Sequence, residues 1–142
     1  MSANSSDYLE DKLRGHLLRG QSFTPSGTLA IALTKDYPTD ASTGASMGEV
    51  PNAGGYARQS IVSNTTNWSA DDVVNGNAYN NNVITFPQAS AYWGWVSGIC
   101  ICDSSIYGAG NVYFWGTLVT PEEIKSTNIY QIPVSGIQVQ FQ

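Results

Sequence analysis

The sequence predicts a mainly β fold, a β-sandwich or jelly-roll-like barrel of short antiparallel strands with one N-terminal α-helix. Three observations carry that expectation: several short apolar segments of period two, glycine- and proline-bearing turns between them, and one stretch of helical period near the start. A chain of 142 residues suits one domain spanning 1–142, because a second independent core would have too few residues to bury.

The helix is expected at about 7–19. Leu9, Leu13 and Leu17 recur every four residues, Tyr8 and Leu18 widen the stripe, Asp7 can cap the first turn, and Gly20 can end the last. Residues 28–34 then alternate Leu29, Ile31 and Leu33 with the small Ala30 and Ala32, so both faces are apolar and the strand reads as central. Residues 35–52 hold Pro38, Gly44, Gly48 and Pro51 and have no sustained period, which marks a long loop of the kind that is often functional. Strands are expected at 56–62, 83–86, 91–102, 111–119 and 129–132, with a short one near Val73 and Val74. The Asp103–Gly110 segment forms a turn, and Pro121, Glu122 and Glu123 start a brief helical turn. At the end Ile137, Val139 and Phe141 alternate with Gln138, Gln140 and Gln142, giving one apolar and one amide face.

Charged residues are only 12% of the chain, about half the share usual in soluble proteins, and Asn, Ser, Thr, Gln and Gly supply the polar surface instead. Uncharged polar groups cost less to desolvate between apposed surfaces than charged ones do, so the composition suits an assembly component or a secreted β-domain. The net charge of −5 repels phosphate backbones, and Lys12, Arg14 and Arg19 are too scattered to reverse it, which argues against nucleic-acid binding. No apolar run has the length of a membrane span and residues 1–10 do not resemble a signal peptide, so the expectation is synthesis and folding in a cytoplasm with no membrane association. The glycosylation-type triplets at Asn64 and Asn67 accordingly read as turn residues. Cys100 and Cys102 alternate on one strand face with roughly parallel Cβ directions, a poor disulfide geometry and an incomplete zinc set.

Catalytic, metal and cofactor motifs are missing from the sequence. His16 stands alone in the helix, Gly108-Ala109-Gly110 lacks the Lys that would make it a phosphate loop, and Asp36, Asp40, Glu49, Asp71, Asp72 and Asp103 read as solvated loop acids. The expectation is a protein that is not an enzyme and uses no cofactor. Aromatic residues form the more distinctive set: Trp93 and Trp95 share one face of their strand with Tyr92 on the other, and Tyr113 and Trp115 pair the same way on the next. Such rings can fill the domain's own core, centre a subunit interface, or stack against sugars. Gly54-Gly55 can aim Tyr56 and Arg58 to one face, where Arg58 would pair with Asp40 or Glu49 and pin the long loop.

In order, the segments TLAIALT (28–34), PTD (38–40), GGYARQ (54–59), ITFP (84–87), WG (93–94), GI (98–99) and GTL (116–118), preceded by a Leu-rich helix, resemble a family of small tailed-phage virion structural proteins. The polar, Asn-rich stretch 68–82 departs from that pattern. The resemblance implies a virion component that is decoration- or cement-like or fibre-like. Joined to the low charge, it favours a capsid decoration protein that binds and stabilises the assembled shell, with a tail or fibre component bearing a glycan-binding aromatic surface as the alternative. The expected partners are copies of itself, as in a trimer, and the major capsid protein or another virion protein.

Overall fold

The computed structural model describes residues 1–69 and 76–141. Its elements are β1 (Ser2–Ser5), α1 (Asp7–Leu18), β2 (Thr28–Thr34), β3 (Gln59–Val62), β4 (Ala78–Tyr79), β5 (Ile84–Thr85), β6 (Gly94–Cys102), β7 (Val112–Ile124), β8 (Gln131–Ile132) and β9 (Gln138–Gln140). The fold is mainly β with one helix near the N-terminus, as the sequence predicts. Seven strands, in the order β3-β2-β6-β7-β1-β9-β4, make one sheet that curls into a half-barrel, while β5 and β8 form a separate two-stranded ribbon. The residues around Val73 and Val74 lie outside the described part, as do Asp71 and Asp72.

The centre of the sheet follows from local alternation. On β2, Leu33 and Ile31 point into the concave face with Ile99 and Ile101 of β6, whereas Ala32 points outward with Cys100 and Cys102. Both faces are covered, so the strand is buried throughout its C-terminal half. The inner core gathers Phe86, Val96, Ile124, Tyr130, Ile132 and Ile137 around those strands. The outer cluster is smaller and is closed by Met47, which the loop after β2 carries across the sheet. Cys100 and Cys102 are free and fully buried there.

Three elements differ from expectation, the first being β4, which forms at Ala78–Tyr79 where no strand is expected. β1 has too little apolar character to be read as a strand, yet it pairs in parallel with β9 and antiparallel with β7, burying Ala3 between them. The helical turn expected at Pro121, Glu122 and Glu123 is instead the second arm of β7: Glu122, Glu123 and Ile124 face Val96, Trp95 and Gly94. Proline fits because the register slips just before this arm. Gly98 faces Thr117 and Val96 faces Glu122, so residues 118–121 bow out opposite Ser97 and no ladder hydrogen bond is required of Pro121.

Helix α1 begins one residue earlier than the Asp7 cap implies. Ser6 has extended dihedrals and its Oγ accepts from the Leu9 N–H at 3.2 Å, which makes it the N-cap, while Asp7 occupies the first turn. Leu9 is buried and Leu13 half-buried, but Leu17 and Leu18 are exposed, so the leucine stripe runs past the sheet edge.

Candidate functional site

Two breaks in strand parity decide where the aromatic residues go. Gly94 has φ +91, a conformation that L side chains rarely adopt, and it inverts the alternation between its neighbours. Trp93 and Trp95 therefore do not share a face. Trp93 is 3% exposed, meets Tyr56 edge-on at 5.4 Å and donates from Nε1 to the Gly54 carbonyl at 2.8 Å, whereas Trp95 is 54% exposed. The second break is a β-bulge. Val112 faces Cys102 and Phe114 faces Ile101, which leaves Tyr113 as the extra residue.

Tyr113 stacks on Tyr8 of the helix at 6.1 Å and lines, with Phe114, an apolar trough beneath Leu9, Leu13 and Phe23. Trp115 lies on the opposite face, packed on the outer cluster and donating from Nε1 to the Ser5 carbonyl at 3.3 Å. The four rings singled out in the sequence thus form no common platform: Trp93 and Tyr113 are buried, Trp115 is half-buried, and Trp95 alone is largely open to solvent. Counting by twos fails here because one positive φ, or one inserted residue, exchanges the two faces of a strand.

Around Trp95 the structure assembles a different set. Its cross-strand partner is Glu123, and the Tyr92 hydroxyl donates to Glu123 Oε2 at 2.7 Å. Lys125 Nζ stands 3.4 Å from the other carboxylate oxygen. The Tyr92 hydrogen bond holds the Glu123 carboxyl below the usual carboxylate range, with Lys125 adding to the effect, and the same bond raises the Tyr92 phenol. Sequence spacing does not reveal this group because it depends on the shifted register of the second β7 arm.

Tyr56 and Arg58 have a different role in the geometry. Arg58 makes a two-pronged ion pair with Glu49, Nε to Oε1 at 2.8 Å and Nη2 to Oε2 at 2.9 Å, with both side chains essentially inaccessible. Its remaining donors reach the Ser104 carbonyl at 2.8 Å, the Ala109 carbonyl at 2.9 Å and the Gly44 carbonyl at 3.3 Å. One guanidinium therefore ties the loop after β2 to the β6–β7 turn. Tyr56 donates to Glu49 Oε1 at 2.8 Å while its oxygen accepts from the Leu33 N–H at 3.0 Å, so the same carboxylate also holds β2. Burial first, then the Glu49 charge, pushes the Tyr56 phenol far up.

The loop acids are occupied differently. Asp103 accepts from the Asn111 backbone and side chain at 2.7 and 2.9 Å and so shapes its own turn, and Glu49 is committed to Arg58. Among the described residues no group of three or more His, Cys, Asp and Glu side chains is placed to hold a metal ion. No helix among them is long and apolar enough to cross a membrane.

Burial gives a checkable pH response. It pushes the Cys102 thiol and the Tyr130 phenol up to about 12, and the Cys100 thiol is raised by the same cause. In an unfolded chain these groups titrate near 8.5 and 10, so the folded state holds their protons more tightly. The stability they contribute is complete below about pH 8.5 and is lost as pH rises towards 12. Thermal melts are expected to fall steadily over that window. The two thiols are also expected to resist a thiol reagent at pH 8 until the protein is unfolded, when both react.

Comparison with curated proteins yields no match. A family model does match: that of the podophage GP4 fiber I protein gp80, aligned with residues 4–140 and thus with nearly every element described above. The chain belongs to this family, and with it to the virion structural proteins of tailed phages.

Proposed function

We propose that the protein is a component of a tail fibre, and that it acts there without catalysis through contacts with copies of itself and with another virion protein. The observation that carries this reading is the family match across residues 4–140, because the family is described as a fibre protein. That description supports the fibre alternative over the capsid-cement role favoured by composition and resemblance. The low charge supports either assembly role, since the cores of subunit interfaces are depleted in charged residues.

Locating the subunit on the particle tests the proposal. Immunogold labelling of intact virions is expected to mark fibres at the tail, and particles assembled without the subunit are expected to keep their heat resistance while adsorbing poorly to host cells. Label over the capsid shell, together with heat-labile capsids in its absence, would return the protein to the decoration role.

A further inference from the structure

The end of the β6–β7 hairpin carries side chains that the fold does not use. Trp95 lies between the buried Gly94 and Val96 in the most thoroughly buried strand of the sheet, yet its ring is turned outward and its indole N–H has no partner among the described residues. Glu123 is the cross-strand partner of Trp95, and its carboxylate accepts from the hydroxyl of Tyr92, 59% exposed, at 2.7 Å. Rigid backbone, an open aromatic face and an oriented carboxylate therefore occur at one place.

We infer that Trp95, Tyr92 and Glu123 form a binding site for a neutral saccharide, in which the indole takes the C–H face of a pyranose ring and the carboxylate accepts its hydroxyls. The inference rests on the fibre reading only for the sugar's origin on a host surface. Its chemistry stands on the residues themselves. An aromatic face is apolar but carries partial negative charge, so it suits the weakly positive C–H groups of a sugar ring. An ionised carboxylate has about four lone-pair sites, and Tyr92 and Lys125 engage one on each oxygen, leaving acceptors for two hydroxyl donors. Those same two contacts fix the carboxylate before the ligand arrives, which lowers the ordering cost of binding.

Other ligand classes fit less well. An acid within the patch is unlike the centre of a protein interface, which is depleted in charged residues. An anionic polymer would meet Glu123 within a chain of net charge −5. The hydroxyl-rich, uncharged sugar ring satisfies both the aromatic and the carboxylate.

Glucosides, galactosides, mannosides, rhamnosides and N-acetylglucosamine oligomers, displayed densely on a surface to add avidity, provide the probes. Binding of the full chain to at least one of them is expected, with quenching or a shift of tryptophan emission. Trp95→Ala should weaken it by about tenfold or more, and Glu123→Gln by a smaller factor, while both variants melt as the parent does. Failure of every neutral sugar to bind, retention of only charged polysaccharides, or full binding by Trp95→Ala would overturn the site. Labelling of the virion separates this from the fibre assignment. Fibre label without sugar binding removes the site and leaves the fibre, whereas sugar binding lost in Trp95→Ala by a shell-located subunit upholds the site and removes the fibre.

Discussion

Replacing Arg58 by alanine is expected to destabilise the protein by about 3–5 kcal/mol, the range seen when one partner of a buried ion pair is removed. The loss has two parts. Glu49 is left charged and buried, with Tyr56 and the Gly108 N–H as its remaining partners among the described residues, and the carbonyls of Gly44, Ser104 and Ala109 lose their guanidinium donor. Arg58→Lys should recover little, because an ammonium cannot span both carboxylate oxygens and three carbonyls at once. Denaturant midpoints of Arg58→Ala, Glu49→Ala and the double variant provide the check. The double variant should cost clearly less than the sum of the singles, since each single strands the other's charge. Equal, additive and small effects would show that the pair does not hold the loop.

Truncation of two tryptophans two residues apart should give opposite results. Trp93→Ala is expected to cost about 3–5 kcal/mol, because the ring is almost wholly buried among Tyr56, Val96 and Ala89 and its N–H supplies the Gly54 carbonyl. Trp95→Ala should stay within about 0.5 kcal/mol, as expected of an exposed surface side chain. Urea titrations followed by circular dichroism distinguish them. A large loss at Trp95 would mean that the ring is covered in the folded protein, and the saccharide site would fall with it.

The glycine between those tryptophans separates what is legible in the sequence from what is not. Where dihedrals stay extended, counting by twos reaches the right face: Leu29, Ile31 and Leu33 are inward, Ala32 outward, and β2 appears with its full length. Helix α1 appears within one residue at each end because its leucine period, its acidic first turn and Gly20 all act locally. Arg58 is recognisable as a cation in search of an acid, and Glu49 is among the acids within reach of its loop. Its three carbonyl partners are invisible beforehand, because backbone acceptors carry no residue signature.

The sequence by itself determined the mainly β class, the N-terminal helix, the central strand and the poor disulfide geometry of Cys100 and Cys102. All of these depend on spacing within a few residues. Only the tertiary structure decided that Ser2–Ser5 joins the sheet, that Glu122–Ile124 is strand rather than helix, and that Trp95 is joined by Tyr92 and Glu123 and not by Trp93. The physical reason is common to these cases. A positive φ at Gly94, an extra residue at Tyr113 and a slipped register across residues 118–121 each re-aim side chains within the β6–β7 hairpin, and β1 is held by pairing with β7 and β9, more than a hundred residues away.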